Sequence, residues 1–170
     1  MVGRRVYDQK KGLEVLLYVS QRYPNLYRAM KVLFYADKKH LTRYGRLISG
    51  DRYVAMPKGP VPSGAYDIVK MARGDSCSRP DDLVLSSLAV HGNYLKPLRE
   101  PDLDYLSLSE RECLDEAIRD IKPLSSEQLI QMSHDEPAYK AAVRNGTMPL
   151  EILVRSLPDG ESIWQYIADC

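Results

Sequence analysis

The chain reads as mainly α, a compact helical domain with one or two short β-hairpins. Three observations predict this. Apolar residues recur at spacings of three and four along several segments, and glycine and proline punctuate the stretches between them. Alternation at period two is confined to short runs near residues 47–56 and 83–96. A length of 170 residues matches a single domain, and a chain of that size buries about two thirds of the surface its unfolded form exposes.

Leu13, Leu16, Leu17 and Ser20 fall on one face of a short amphipathic helix over residues 9–23. Pro24 interrupts it, and Asn25 can cap a second helix over 26–44. On that helix Leu26, Met30, Leu33, Asp37, His40 and Tyr44 form one stripe, with Arg28, Lys31, Lys38, Lys39 and Arg43 on the other sides. Gly45 fits a C-terminal cap. Leu47-Ile48 and Tyr53–Met56 flank Gly50-Asp51, which predicts a hairpin across that pair. Pro60 and Pro62 impose extended backbone around Val61. Ser63 can cap a third helix over 64–73, carrying Tyr66, Val69 and Ala72.

Residues 74–82 read as a surface loop and 83–96 as a second small hairpin around His91-Gly92-Asn93. Ser107-x-x-Glu110 and Ser109-x-x-Glu112 are both capping boxes for a helix reaching Ile121. Ser125-x-x-Gln128 opens a helix through Met132, and Pro137 starts another through Val143. Two terminal helical pieces occupy 149–155 and 160–168. The whole of 1–170 is expected to form a single domain.

The formal net charge of +1 conceals two unlike halves. Residues 1–99 hold 18 Lys and Arg against 8 Asp and Glu, whereas residues 100–170 hold 6 against 15. The three cysteines, Cys77, Cys113 and Cys170, form no CxxC pair, which argues against a disulfide framework or a cysteine zinc site. No window approaches the roughly 18 apolar residues of a membrane span, and the opening stretch carries no apolar signal segment. The expected location is the cytoplasm. Twelve tyrosines stand beside one Phe and one Trp. They serve either as a boundary layer around a small core or as a contact surface.

Asp37 and His40, three apart on a helix, can share a third group. A metal could use them with His91 or His134, but no spacing supplies the remaining ligands. Three readings stay open: a buried pair satisfying backbone groups, including those of 57–62; a binding role; and metal or acid–base chemistry. The segment Gly59-Pro60-Val61-Pro62-Ser63-Gly64 could meet an anion at a helix start, yet its prolines lack the N–H donors that task needs. Ser133-His134-Asp135 cannot be a hydrolase triad, because chain neighbours do not point at one another. Eight cations from Arg28 to Lys58 form either a solvated face, a protein contact or a nucleic-acid surface.

These residues have a known counterpart. Residues 31–69 resemble the signature of the Panacea domain family, the SocA-like antitoxins. Matching positions are Asp37, His40, Leu41, Gly45, Arg46, Ile48, Gly50, Asp51, Tyr53, Ala55, Gly59, Pro60, Val61, Pro62 and Tyr66. Ser49 departs from it, where the family often has threonine. The resemblance extends over about residues 10–145, with weaker likeness at 108–112 and at Ser133-His134. It implies a helical interaction domain, not an enzyme and without cofactor or metal, whose partner is a cognate toxin. Some family members act as adaptors to a protease, and many are phage-associated. On this reading Asp37, His40, Gly50, Asp51, Tyr53, Gly59, Pro60, Val61, Pro62, Tyr66 and His134 form a structural and recognition centre. Arg28, Lys31, Lys38, Lys39 and Arg43 offer a basic contact face. The rival readings are an enzyme or metal protein using Asp37, His40 and His134, and a nucleic-acid binder through 28–58. Other family members carry added DNA-binding domains, and no such extension is obvious here, so nucleic acid is not the expected partner, and no membrane partner is expected.

Overall fold

In the computed structural model, residues 6–75 and 79–170 are described. The expected class is found: nine helices and two separate two-stranded antiparallel sheets among the described residues. Cys77 and part of the expected 74–82 loop lie outside them.

Helix α1 (Gln9–Arg22) is capped by Asp8, whose carboxylate accepts the Lys11 N–H. The sequence pattern marked one apolar face, but every residue from Gly12 to Ser20 is buried. Helix α2 (Leu26–Tyr44) begins and ends where expected, with Asn25 accepting the Arg28 N–H and Gly45 left-handed at φ 67°. It is the central element. One apolar cluster on α2 gathers Leu26, Met30 and Leu33 with α1 and later helices. A second gathers Phe34 and Leu41 with Tyr53, Met148, Leu153 and Ile167. Apolar partners on two sides explain why α2 is buried well beyond a single stripe. Tyr44, the last residue of the expected stripe, is exposed.

The first hairpin differs from the expected one. Strand β1 (Tyr53–Met56) pairs with β2 (Gly59–Pro62), Tyr53 opposite Pro62 and Met56 opposite Gly59. Leu47-Ile48 is not a strand; the turn is Pro57-Lys58, not Gly50-Asp51. Proline without an N–H is tolerated here because β2 has only one strand partner. The other edge of β1 is covered by residues 145–148: Ala55 N–H donates to Gly146 O and Met148 N–H to Tyr53 O.

Helix α3 (Ser63–Arg73) follows β2 directly, and Ser63 makes no side-chain cap. Asp51 supplies the cap from twelve residues earlier, as described below. A short helix, α4 (Asp82–Ser87), occupies part of the segment expected to be strand, capped by Asp81. The second hairpin is then β3 (Leu88–His91) with β4 (Tyr94–Pro97). It docks on the α1–α2 turn through Leu95 N–H to Pro24 O and Leu26 N–H to Asn93 O, both 2.8 Å.

Beyond a 3₁₀ turn at Leu103–Tyr105, helix α5 (Leu108–Ile121) packs along α2. Of its two expected capping boxes only Ser107/Glu110 forms; Ser109 lies inside the helix and turns to His40. Helix α6 (Ser126–His134) carries the Ser125/Gln128 box. Then come α7 (Pro137–Ala141), α8 (Leu150–Arg155) and α9 (Gly160–Asp169). No described helix is long and apolar enough to cross a membrane.

Candidate recognition centre

Asp37 is buried in α2 with both carboxylate oxygens engaged. Oδ1 accepts the Ile48 N–H at 2.7 Å and Oδ2 accepts the Tyr53 hydroxyl at 2.6 Å. His40 sits one turn on and holds the same segment. Its Nδ1 lies 3.0 Å from Arg46 O and its Nε2 3.1 Å from Ser109 Oγ. A carbonyl only accepts, so Nδ1 carries the proton and Nε2 receives the Ser109 hydroxyl. The pair therefore fixes residues 46–53 onto α2 and α5. It does not satisfy the backbone of 57–62, as one sequence reading expected.

Asp51 performs the next fastening. Its Oδ1 accepts the Arg52 and Gly64 N–H groups, both at 2.8 Å, and Oδ2 accepts the Ala65 N–H at 2.9 Å. The Gly64 and Ala65 N–H groups are orphan donors of the α3 N-terminus, which a carboxylate stabilises through both hydrogen bonding and the helix dipole. Asp37, Asp51, Tyr53 and Pro62 surround a void of about 10 Å³. That is the size of one water, with no room for a substrate molecule.

The carbonyls of Met56, Pro57, Lys58 and Pro60 have other partners. Tyr139 OH donates to Met56 O at 2.7 Å, His134 Nε2 to Pro57 O at 2.8 Å, Tyr27 OH to Lys58 O at 3.0 Å and Lys31 Nζ to Pro60 O at 2.6 Å. Four fastenings from α2, α6 and α7 thus grip the hairpin tip. Proline keeps a carbonyl while losing its N–H, so a turn rich in proline has surplus acceptors that side chains must meet. That arithmetic could have pointed to Tyr27, Lys31 and Tyr139, which the sequence reading did not place here.

His134 therefore joins the hairpin tip rather than Asp37 or His40, and its ring stacks on Tyr139 at 4.9 Å and 12°. Tyr66 lies half-buried on α3, with Lys70 Nζ 5.4 Å above its ring. Gly50 adopts φ +74° and Gly59 φ +113°. Pro60 and Pro62 are buried and Val61 is half-buried. Among the described residues no group of three or more His, Cys, Asp or Glu comes together as a metal site.

Of the residues expected to offer a basic contact face, Lys31 is buried and the others make contacts within the chain. Lys31 has no exposed surface. Lys38 pairs with Glu136 at 2.7 Å, Lys39 with Asp120 at 2.9 Å and Arg43 with Glu116 at 2.6 Å. Arg28 donates to Ile121 O. The buried Glu110 joins Lys11 and Arg46 at 2.6 and 2.7 Å. Burial pushes Glu110 upward, but its bonds to Lys11, the Ser107 N–H and Arg46 outweigh that and hold the carboxyl below its usual range. The charge asymmetry is largely an internal contact: α2 presents cations to the acidic α5.

Two buried groups on α2 carry opposite pH signatures. Burial raises Asp37 to about 7 against the opposing pull of the Ile48 and Tyr53 bonds, with Asp51 adding repulsion. Between 3.8 and about 7 the folded state holds a proton that the unfolded chain has released, so stability falls as pH rises. Burial lowers Lys31 to about 7. Between about 7 and 10.5 the unfolded chain holds the extra proton, so stability rises with pH. Together they place a dip near neutrality, each limb at most about 1.4 kcal/mol per pH unit. Urea unfolding of the Asp37→Asn variant from pH 5 to 9 should lack the acid-side decline, and of Lys31→Met the alkaline-side rise. Unchanged slopes in both variants would assign the profile to other groups.

The family model for the Panacea domain of SocA-like antitoxins matches residues 30–140. The matched span begins within α2 and ends in α7: Lys31, Asp37, His40, Asp51, Tyr53, Ser109, His134 and Tyr139 fall inside it, whereas Tyr27 lies just before. Searches of curated proteins and of solved structures gave no match.

Proposed function

The chain belongs to the SocA-like, Panacea-domain family of antitoxins, and from that premise we propose that it neutralises a partner toxin by direct protein contact. The family match over residues 30–140 carries this reading. The architecture supports it. Residues 46–65 are fixed by side chains from α2, α5, α6 and α7, and a surface fixed before binding loses little conformational entropy when a partner docks. Around Asp37 the polar groups bond one another about a water-sized void, which supports a binding protein over an enzyme. The Asp37–His40 pair then serves recognition indirectly, by holding the platform in shape. Cytoplasmic action follows from this reading.

Co-expression with the toxin encoded beside the gene tests it. The expected result is restored growth and co-purification of the two proteins in a stable complex. Growth arrest that persists while both proteins are present and soluble would sink the proposal.

A further inference from the structure

Many cations among the described residues pair with carboxylates, whereas one opening gathers cations with no carboxylate in its lining. It is a groove of about 500 Å³ beside the first hairpin, lined by Ala55, Pro57, His134, Tyr139, Lys140, Ala142 and Arg144. Two cations and an imidazole face it, and no carboxylate does. The groove between α2, α5 and the α8–α9 turn is also large, about 480 Å³, and contrasts with it. There Lys38, Lys39 and Arg43 are already paired with Glu136, Asp120 and Glu116. Around the first groove the nearest ion pair is Lys140 with Asp135, at 4.0 Å. Arg144 is exposed, and Lys58 in the adjoining hairpin turn is exposed too.

The walls are preformed. The stacked His134 and Tyr139 rings are tied by hydrogen bonds to Pro57 O and Met56 O. They present an aromatic floor with a cationic rim. Residues 145–148 are themselves fastened to β1, through Asn145 N–H to Ala55 O at 2.8 Å and Ala55 N–H to Gly146 O at 2.9 Å. The volume lies within the roughly 300–1,000 Å³ of small-ligand pockets and admits a few side chains of a docking segment.

We propose that this groove takes an acidic segment of the partner protein, its carboxylates meeting Lys140 and Arg144 and an apolar side chain lying on the Tyr139–His134 rings. The proposal rests on the reading of the chain as a partner-binding domain and adds the chemistry of the contact. Arg144 makes no ion pair among the described residues and Lys140 only the 4.0 Å exposed contact with Asp135, and cations so placed favour an anionic occupant and speed its encounter. Only two to three such charges lie here, too short a track to follow a nucleic-acid backbone through several phosphates.

The test uses the full chain with three probes: the neighbouring toxin, a short Glu-rich peptide containing one Trp, and single-stranded DNA of equal charge. Wild-type protein should bind the acidic peptide at low salt, and its Gln-substituted counterpart should not bind. The double variant Lys140→Glu/Arg144→Glu should weaken both peptide and toxin binding at least tenfold with unchanged circular dichroism, whereas Lys140→Arg/Arg144→Lys should retain them. Toxin binding unaffected by the charge reversal would overturn this proposal while leaving the antitoxin reading intact. Absence of toxin binding by the wild type would instead strike that earlier reading. DNA bound as tightly as the peptide, and lost in the same variant, would overturn the assignment to a protein segment.

Discussion

Asp37→Ala is expected to lower the unfolding free energy by about 3 kcal/mol at pH 5.5, read from urea denaturation. The carboxyl accepts the Ile48 N–H and the Tyr53 hydroxyl in a buried setting. Alanine leaves both donors unpaired, at about 1–3 kcal/mol each. The sum is trimmed because a buried carboxyl is also removed, and burial of its charged form is costly. That second effect grows with pH, since Asp37 ionises near 7. The gap between wild type and Asp37→Ala should therefore narrow from pH 5.5 to pH 8. Asp37→Asn keeps one acceptor for Ile48 and can donate to the Tyr53 oxygen, so it should lose far less than alanine. An alanine variant as stable as wild type at pH 5.5 would show that these bonds do not hold the segment.

Gly59→Ala is expected to cost at least as much, about 3–5 kcal/mol by the same measurement. Gly59 has φ +113°, a conformation essentially closed to L-residues. An added Cβ would lie 2.6 Å from Ser133 Cβ and 3.1 Å from Lys31 Nζ. Ser133 is fully buried, so the neighbour has nowhere to move except by parting β2 from α6. Backbone strain contributes about 1–3 kcal/mol and overpacking a similar amount. Gly92→Ala provides the control: it also has positive φ, +60°, but nothing lies within 4 Å of the added carbon. It should pay the conformational part alone, about 1 kcal/mol. Equal losses at the two positions would mean that contact with α6 is unimportant.

Local chemistry was legible in the sequence and long-range fastening was not. The ends of α2 follow from Asn25 and Gly45, and the Ser107 and Ser125 boxes appear as spaced. These signals act within a turn or two of the residues that carry them. The first hairpin was misplaced because Gly50-Asp51 resembles a turn, whereas Asp51 is occupied in capping α3. No local pattern shows that a carboxylate will be used thirteen and fourteen residues later. The alternation at 83–96 hid α4 because six residues are too few for a helical period to stand out. Lys31 looked like one more cation of a basic helix, and its burial depends on a proline-rich tip brought over from residue 60. The family signature includes Asp37, His40, Asp51 and Tyr53, whose bonds tie residues 46–65 together, but not Tyr27, Lys31 or Tyr139. What it could not show was the division of labour, in which Asp37 and His40 grip 46–53 while Tyr27, Lys31, His134 and Tyr139 grip the tip.

The pairing of α2 with α5 also has a consequence in time. Helix α2 ends at Tyr44 and α5 begins at Leu108, so about 60 residues must be synthesised between them. At roughly 5–20 residues per second that takes several seconds. During this interval the nascent chain carries Lys39, His40 and Arg43 without Asp120, Ser109 and Glu116. Closing so long a loop before its contacts reward it is slow for a helical protein. The newly made domain therefore passes through a stage with a bare cationic helix, and completes its core only when the acidic helix emerges to cover it.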